Sequence, residues 1–477
     1  MMNKIAIPTF AILGHPNEGK SSVVSTLAED DSVRISPVPG ETRKCREYPV
    51  TVDTNEIIRF IDTPGFQQPR QTLKWLAEYS GSDQQMISDF IAAHRTTPEF
   101  ADECELFTPL SDGAGIIFVV DGSRPVRKID KIEMEILRLT GLPRMAVINI
   151  KEKNRAEFFE DWKSEARKHF NTIRVFDAHQ ATYKERITLL ESLKNIDQEW
   201  QPQLEEVISA FKNDWQHRIE DTAGILMDLI LTAARHTVKK TCNEESQVPA
   251  LKKQLEEQYK KDISRFEKSA HKNIRKRFKH NIFNYELPPH SIVHEDLFSK
   301  KSWRILGLKQ WQLAAAGAAG GSAIGVKVDI ALAGLSFGVF TAIGGIVGGG
   351  SAALGARQAI GAKVKGLPLG RMKIQAGPVK NEQVMYILLD RALIYFSHII
   401  NWAHSRRDQP QAKSIELNSQ KKGFTSLWDA PLKKLFNHFF RAARKGDWAQ
   451  IAAIKPRINE FLITSLKDIS QLEKPTE

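Results

Sequence analysis

One stretch decides the fold of the N-terminal part of the chain: Gly14-His15-Pro16-Asn17-Glu18-Gly19-Lys20-Ser21. Its spacing is GxxxxGKS, in which the two glycines let the backbone curl until successive N–H groups point at phosphate oxygens. An apolar run over 5–13 precedes the loop, and a helix is predicted over 21–27, which is the context that this pattern needs. The run lacks the small-residue cleavage site of a secretory signal, so we interpret it as a buried strand. The stretch predicts a nucleotide phosphate site.

The residues of this loop are predicted to divide between phosphate contact, metal ligation and exposure to solvent. Lys20 is expected to reach the β- and γ-phosphates, and the Ser21 hydroxyl to ligate Mg²⁺. The side chains of His15 and Glu18 are expected to be solvated rather than to act as general bases. The predicted nucleotide-binding residues of the loop and the helix start are Asn17, Glu18, Gly19, Lys20, Ser21 and Ser22.

Two motifs that respond to the terminal phosphate follow in the expected order. The strand pattern over 57–61 ends in Asp62-Thr63-Pro64-Gly65, where Asp62 is expected to hold Mg²⁺ through water and the Gly65 amide to sense the γ-phosphate. Thr42, within Pro39-Gly40-Glu41-Thr42-Arg43, is placed to close over Mg²⁺, unless it is only a loop hydroxyl. The predicted catalytic residues are Lys20, Thr42 and Gly65, and the predicted metal ligands are Ser21, Thr42 and Asp62.

Together these motifs resemble the Era/TrmE/EngA class of bacterial GTPases over residues 4–180. The resemblance implies an α/β P-loop NTPase domain with a mostly parallel sheet that binds GTP and GDP. In that class, the asparagine at the position of Asn17 can help to bind a monovalent cation. The resemblance therefore implies a role for K⁺, while simple loop geometry is the alternative reading of Asn17.

The base-recognition motif departs from the pattern of that class, which is NKxD. After the strand predicted over 145–148, Asn149 fits, but Ile150 replaces the lysine and Glu152 replaces the aspartate. The longer Glu152 carboxylate can still accept hydrogen bonds from guanine, and Ala178 could offer a backbone amide to the guanine carbonyl. The preference for GTP over ATP rests mainly on the resemblance.

Phe66 follows the DxxG motif, at the position where many GTPases place a glutamine that orients the attacking water. Phenylalanine cannot orient water, so we expect hydrolysis to be slow unless a cation or a partner assists it. The alternative is a scaffold that binds nucleotide without significant turnover.

The segment 67–112, which separates DxxG from a strand predicted over 115–121, is longer than one switch helix needs. Its apolar residues are Trp75, Met86, Ile87, Phe90 and Ile91. These residues indicate extra helices, which form either a nucleotide-sensitive lid or an insertion that packs on the sheet.

Composition limits the remaining possibilities. With 42% hydrophobic and 26% charged residues in 477, the chain is neither mostly disordered nor a polytopic membrane protein. Its three cysteines are far apart, which argues against zinc ribbons and disulfide scaffolds. The net charge of +11 permits an anionic partner without requiring one.

We predict a P-loop domain over 1–200 and a mainly α-helical domain over 201–477. A stripe of Val207, Phe211, Trp215 and Ile219 predicts a core-facing helix. The basic run 271–280 could bind nucleic acid or anionic lipid, or be a solvated helix face. An amphipathic helix is predicted over 384–404, and a closing helical region is predicted around Phe436, Phe439, Phe440 and Trp448.

The segment 310–356 is rich in glycine and alanine, and its only charged residues are Lys327 and Asp329. Glycines four residues apart share a helix face and allow two helices to approach closely, so the segment predicts a helical hairpin. Its limbs are compatible with a bilayer core of about 30 Å, and basic residues flank both ends, which would place both ends in the cytoplasm. A membrane hairpin and a buried soluble hairpin remain alternatives.

The layout as a whole resembles a bacterial family of GTPases fused to a C-terminal domain of unknown function. The residues that match in the hairpin are Val328, Asp329, Ala331, Leu332, Gly334, Ser336 and Gly338. We expect a cytoplasmic protein, either peripheral or anchored by 310–356 at the inner membrane. Its partner is expected to be the membrane, the ribosome or RNA, or another protein.

Overall fold

The structure is a computed structural model that describes residues 7–15, 18–28, 44–52, 54–149, 156–177, 183–242, 245–278, 291–299, 302, 305–306, 363–364, 367–368, 372–400 and 423–471. The chain forms two compact units. The first comprises 1–218 with 278–285 and 399–408, and the second comprises 219–277, 286–398 and 409–477.

Several sequence predictions fall outside the described residues. They are those for Asn17, Thr42, Glu152, Ala178 and the hairpin 310–356.

The first unit is built on a six-stranded sheet with the order β2-β3-β1-β4-β5-β6. Its strands are β1 (Thr9–Leu13), β2 (Arg46–Val52), β3 (Asn55–Asp62), β4 (Gly115–Asp121), β5 (Arg144–Asn149) and β6 (Thr172–Phe176). Only the pair of β2 and β3 is antiparallel among these described strands. The strands predicted from apolar runs are confirmed, and the α/β P-loop fold with a mostly parallel sheet is confirmed with them. The edge strand β2 was not predicted.

Helices cover both faces of this sheet. They are α1 (Lys20–Ala28), α2 (Pro69–Glu78), α3 (Met86–His94), α4 (Ala101–Ser111), α5 (Lys128–Leu139), α6 (Phe159–Ala166), α7 (Tyr183–Leu193) and the first part of α8 (Gln201–Arg235). One apolar core lies between the sheet and α1, α7 and α8. The other lies between the sheet and α2 to α6. The stripe predicted on α8 is buried at Val207, Phe211 and Ile219, and Trp215 stacks on Tyr183 with ring centroids 4.0 Å apart.

The insertion after DxxG packs on the sheet. Phe90 of α3 and Phe107 of α4 are fully buried, in the same core as Ala11 of β1 and Ile116 of β4. Of the two readings of segment 67–112, the structure therefore supports a packed insertion. Because α4 belongs to the sheet's own core, its position is fixed by burial.

The second unit is mainly helical, as predicted. It contains the second part of α8, then α9 (Val248–Arg277), α10 (Gln383–Ile400), α11 (Ala430–Lys445) and α12 (Trp448–Gln471). It also contains strands that the sequence did not indicate: β7 (Val238–Cys242) pairs antiparallel with β10 (Met372–Ala376), and β8 (Lys363–Val364) pairs with β9 (Leu367–Pro368).

Helix α10 is a core helix, and the prediction that it is amphipathic is wrong. Residues 383–396 are all buried, so no polar face remains over that stretch. Within the described part of the chain, α10 alone is long and apolar enough to cross a membrane, but 83% of it is buried inside the protein. The buried charge of Arg391 at its centre is compensated, because the guanidinium donates to Glu267 and to the carbonyls of 292, 293 and 295.

The neighbouring Asp390 is completely buried, and its carboxylate accepts hydrogen bonds from the Thr425 amide and hydroxyl at 2.7 and 2.8 Å. Burial raises the pKa of Asp390 from 3.8 to about 7, although the bonds from Thr425 oppose the shift. Because the pKa of Asp390 is higher in the folded than in the unfolded protein, its contribution to the free energy of unfolding is complete below the unfolded pKa. That contribution is lost as the pH rises toward and through the folded pKa.

We therefore expect Asp390→Asn, which imitates the protonated acid, to match the wild type in free energy of unfolding at pH 4. Between pH 4 and about 7 the variant should become more stable than the wild type, by up to about 4 kcal/mol. Urea unfolding at several pH values measures this difference. A difference that does not change with pH would show that Asp390 does not titrate as proposed.

Candidate functional site

The predicted phosphate loop joins β1 to α1 at the carboxyl ends of the parallel strands. Gly14 has φ of +140°, and a Cβ on it would lie 2.2 Å from the carbonyl oxygen of Val119 in β4. Gly19, with φ of +99°, ends the loop just before α1. Only glycine fits at Gly14, both because of its φ and because the β4 backbone is so close. These constraints place the loop where ligands bind in open α/β sheets.

Lys20 begins α1 and turns back across the loop. Its ammonium donates to the carbonyls of Gly14 at 2.9 Å and His15 at 3.2 Å, and the residue is only 7% exposed. The ammonium thus lies within the loop, and its contact with phosphates stays a prediction. Ser22, in the first turn of α1, is buried.

The structure brings together the two predicted metal ligands that it describes. The Ser21 hydroxyl donates to Asp62 Oδ2 at 2.8 Å, and Asp62 is 2% exposed at the end of β3. The next residue, Thr63, donates to the carbonyl of Ile12 in β1 at 2.7 Å, which fixes β3 beside the loop.

These donors fit Mg²⁺, which prefers hard oxygen ligands and is usually held by one or two protein groups together with phosphates and water. Among the described residues, no group of three or more His, Cys, Asp or Glu side chains is arranged to hold a metal. The set formed by Ser21 and Asp62 therefore suits an ion that arrives with a nucleotide.

The prediction that Glu18 is solvated is wrong. The residue is 4% exposed, and its carboxylate accepts from the guanidinium of Arg124 and, at 2.5 Å, from the amide of Asp121. Arg124 lies in the loop after β4, over a hundred residues away in sequence, so no local pattern indicated the pair. The Glu18 side chain thus anchors the phosphate loop to β4.

Arg124 is the centre of a buried ionic network. Besides Glu18, it binds both carboxylate oxygens of Asp130 in α5, at 2.7 and 2.9 Å. Arg127 binds the same Asp130, and the Trp162 indole donates to the Arg124 carbonyl at 2.7 Å.

Burial disfavours the charge on Arg124, but the bonds and attraction from Asp130 and Glu18 outweigh it and raise the pKa of Arg124. Burial likewise acts to raise the pKa of Asp130, but its bonds from Arg124 and Arg127 bring that pKa below its ordinary value. Arg124 and Asp130 are therefore both charged at neutral pH, and the network ties the phosphate loop to α5 and α6.

His15 is held by a second buried carboxylate. Its Nδ1 lies 2.9 Å from Glu133 Oε1 of α5, and the His15 side chain is 30% exposed whereas that of Glu133 is fully buried. Burial raises the pKa of Glu133, although His15 opposes the shift. His15 is thus positioned by α5, which the sequence did not indicate.

Asn149, the matching residue of the base motif, ends β5 and is fully buried. Its side-chain amide donates to the backbone carbonyl of Glu18 at 3.1 Å. The described part of the predicted base motif is therefore connected directly to the phosphate loop.

Gly65 and Phe66 follow Asp62 toward the helical insertion. Phe66 is 2% exposed, and its ring meets Phe107 of α4 edge-on with centroids 6.3 Å apart. Phe66 is thus an anchor in the core, in agreement with the expectation that it cannot orient water. Glu103 of α4, which sequence analysis did not single out, accepts from the amides of Gln67 and Gln68 at 2.7 and 2.5 Å.

Comparison with known families gives two matches along the chain. Residues 9–150 match the family described as 50S ribosome-binding GTPase. Residues 163–462 match a domain of unknown function, DUF3482. The predicted resemblance, a GTPase domain of the Era class followed by a C-terminal domain of unknown function, is confirmed.

Among curated proteins, the chain is similar to GTPase Der of Agathobacter rectalis, with 38% identity over 73 residues that cover 15% of this chain and 16% of Der. It is also similar to the tRNA modification GTPase MnmE of Thermoanaerobacter sp. (strain X514), with 30% identity over 137 residues that cover 28% of this chain and 29% of MnmE. The chain thus spans less than a third of the length of either relative.

Among solved structures, one match is Era in complex with MgGDPNP and nucleotides 1506–1542 of 16S ribosomal RNA. The identity is 20%, the match covers 40% of this chain and 57% of the Era chain, and the TM-score is 0.29.

The buried network predicts a large effect of Arg124→Ala. The change leaves Glu18 and Asp130 buried without their shared cation, so the free energy of unfolding should fall by about 2–4 kcal/mol. GDP affinity should fall by at least about tenfold, because the phosphate loop loses its anchor. Denaturant unfolding and titration calorimetry measure the two effects.

Arg138→Ala is the matched control, since Arg138 forms an exposed pair with Glu135 on the same helix, α5. It should change stability by less than about 0.5 kcal/mol and leave GDP affinity unchanged. Equal effects of the two variants would contradict the anchoring role of Arg124.

Proposed function

Since the chain belongs to the DUF3482 family and carries a P-loop GTPase domain at its N-terminus, we propose that it is a nucleotide switch. It binds GTP and GDP with Mg²⁺ and hydrolyses GTP. One observation carries the proposal. Lys20 and Ser21 of α1, Asp62 of β3 and Asn149 of β5 come from three separate elements, yet all of them make hydrogen bonds at the phosphate loop or its helix. A fortuitous glycine-rich turn would not assemble them.

The chemistry follows from these positions. A Mg²⁺ ion bound with the nucleotide would neutralise charge on the β- and γ-phosphates. Ser21 and Asp62 would hold that ion, and Thr42 would complete the set when its loop closes. Lys20 would stabilise the charge that builds up on the phosphates, and the Gly65 amide would sense the terminal phosphate. Glu152 and Ala178 would complete the contacts to guanine that Asn149 begins.

We propose that turnover is slow in the isolated chain. Phe66 is buried in the core and His15 is engaged by Glu133, so neither supplies the water-orienting group of a fast GTPase. Stimulation by a partner or by K⁺ through Asn17 would compensate. A scaffold that binds nucleotide without significant turnover is the alternative that these same observations support.

We further propose that the helical domain converts the nucleotide state into binding of a membrane or a protein partner in the cytoplasm. The segment 310–356 is the candidate membrane element, as a peripheral contact or a hairpin anchor at the inner membrane. Its composition supports this proposal: few charged residues, glycines four apart and basic flanks.

Lys20→Ala should abolish GTP hydrolysis and lower affinity for GTP and GDP by at least about a hundredfold, because the phosphates lose their buried cation. Phosphate release and calorimetry, each with Mg²⁺ and with K⁺ or Na⁺, measure this. Lys168→Ala, which changes an exposed lysine paired with Glu165, is the control and should behave as wild type. Normal turnover by Lys20→Ala would remove the site assignment, and binding without turnover by the wild type would favour the scaffold.

A second candidate function, association with RNA or the ribosome, is favoured by the exposed face of α9. Within the basic run 271–280, His271, Ile274 and Phe278 are buried, so only part of the run is available. The exposed cations instead continue a line toward the start of the helix, at spacings of three and four residues: Lys261, Arg265, Lys268, Lys272 and Lys276. This basic stripe is about 22 Å long at 1.5 Å per residue, a length that several successive phosphates would span.

Reversing four charges of the basic stripe tests this candidate: Lys261→Glu, Lys268→Glu, Lys272→Glu and Lys276→Glu. RNA affinity should fall steeply, and the slope of log K against log salt should decrease by about 3. The matched control reverses four exposed cations of the same unit: Lys434, Lys445, Lys455 and Arg457.

An equal loss of RNA affinity in both variants would show that only the net charge matters. The basic stripe would then not be the RNA-binding surface. Anionic liposomes serve as the second probe. Flotation that survives the stripe variant but is lost on deleting 310–356 would favour the membrane instead.

A further inference from the structure

One end of the second unit carries an exposed tryptophan. Of the aromatic residues predicted for the closing helical region, Phe436, Phe439 and Phe440 are buried, but Trp448 is 57% exposed. It is the first residue of α12, directly after the short turn in which Gly446 ends α11 with φ of +71°. The packed pair of α11 and α12 therefore holds the indole at the surface of the unit.

A cation lies over this ring. The guanidinium carbon of Arg235, the last residue of α8, is 4.3 Å from the centroid of the Trp448 ring, and both residues are exposed. Among the residues that the structure describes, none accepts a hydrogen bond from the Arg235 guanidinium. Its N–H groups can therefore bind an anion while the group stays over the indole. The pair presents an apolar ring and a cation to the same region of solvent.

Further cations lie beside the pair on neighbouring turns. Arg444, in the last turn of α11, donates to the backbone carbonyl of Lys380 at 3.1 Å, which joins the turn after β10 to the end of α11. Lys239 follows Arg235 by four residues and pairs with Gln375 in the register of β7 and β10. Both lysines are exposed. The end of α8, the turn after β10 and the turn between α11 and α12 thus meet at one surface.

This surface is strongly positive. We call it the tryptophan patch and define it by five residues: Arg235, Lys239, Lys380, Arg444 and Trp448. Seven cationic and two acidic residues occur in the three segments that form it: 235–240, 376–382 and 441–448. Both acids have partners within the protein, since Glu382 pairs with Arg441 at 2.7 Å and the Asp447 carboxylate accepts from the Gln450 amide at 3.1 Å. The charge of the surface is therefore complementary to an anionic partner.

An exposed indole with flanking cations fits the surface of an anionic membrane. Indole rings prefer the level of the lipid headgroups, which accommodates both their apolar body and their N–H group. Single-stranded nucleic acid also uses aromatic and cationic contacts, but its bases need an open aromatic face, and its backbone follows a groove. Arg235 covers one face of Trp448, and the cations lie on separate turns around it. This arrangement favours a broad anionic surface over a single strand.

We infer that the tryptophan patch binds the surface of an anionic phospholipid membrane. Trp448 enters the headgroup region, and the four cations of the patch contact lipid phosphates. The inference rests on the proposed membrane binding by the helical domain, and it adds a contact that is separate from the segment 310–356. Because anionic lipids attract each Lys or Arg that is close to the surface, several cations around one indole strengthen binding together.

The test measures binding of the full-length chain to vesicles by sedimentation. Vesicles of phosphatidylcholine with phosphatidylglycerol should bind the wild type at least about tenfold more tightly than vesicles of phosphatidylcholine alone. Trp448→Ala should lower the affinity for the anionic vesicles by about fivefold, because the indole no longer leaves water. Lys239→Gln combined with Lys380→Gln should lower it by about twentyfold, since two surface attractions are lost.

Fluorescence separates Trp448 from the other tryptophans, of which the chain has nine in total. The wild-type spectrum minus the spectrum of Trp448→Phe gives the emission of Trp448. This emission should shift to shorter wavelength when the anionic vesicles are added, because the indole enters a less polar region. Lipids that are brominated in the acyl chain should quench it.

Two control variants change exposed residues of the same unit outside the patch. Leu427→Ala removes another large apolar side chain, which is 76% exposed. Lys434→Gln combined with Arg457→Gln removes two exposed cations of α11 and α12. Both controls should bind the anionic vesicles as the wild type does. Urea unfolding should give the same midpoint for all variants, since every changed side chain is exposed.

The other outcomes have separate meanings. If the wild type binds no vesicles, this inference and the proposed membrane binding both fail, and the proposed binding of nucleotide is unaffected. If the wild type binds, but the patch variants bind equally well or the controls lose as much, the membrane contact lies elsewhere and the inference is overturned. If the patch variants lose affinity for a single-stranded RNA and keep their affinity for vesicles, the patch binds nucleic acid and the inference is likewise overturned.

Discussion

The close approach between the loop after β1 and the backbone of β4 is the constraint on which the site depends. At Gly14 the two backbone segments are so near that any side chain would collide with the Val119 carbonyl. Because the loop lies directly against β4, the Glu18 carboxylate points inward and accepts from the Asp121 amide and Arg124. The Lys20 side chain crosses back over the loop to the Gly14 carbonyl. The ionic network offsets the cost of burying these charges. The phosphate site is thus pre-organised by contacts outside the motif that identifies it.

Much of the first unit could be predicted because its central strands are buried on both faces. Such strands read as continuous apolar runs, as in Gly115–Asp121, whose residues are buried almost throughout. The edge strand β2 gave no such pattern, since only Val50 in it is buried and Pro49 interrupts it. Strand β7 has lysines at 239 and 240 and was likewise overlooked. In α10, Arg391 among apolar residues was consistent with an amphipathic helix, but it is buried and paired with Glu267, which is distant in sequence.

The site divides in the same way. Lys20, Ser21, Asp62 and Asn149 could be predicted because chemistry fixes their residue type and their spacing within short motifs, and the structure brings them to the same loop. The residues that hold those motifs in place were not found, since Arg124, Glu133 and Glu103 become neighbours of the loop or of the segment after DxxG only after folding. A carboxylate in a helix sequence looks the same whether it will be solvated or buried. Glu18 shows the difficulty, because its side chain was expected to be solvated and is buried, although it lies inside the motif itself.

The burial of Asp390 has a consequence for the order in which the chain can mature on the ribosome. Its two hydrogen-bond donors both belong to Thr425, which is translated 35 residues later. Arg391 differs, because its partner Glu267 has already been made when α10 emerges. Until Thr425 leaves the exit tunnel, the Asp390 carboxylate lacks the two donors that it has in the folded protein, so burying the centre of α10 before that point carries the cost of an unpaired buried acid.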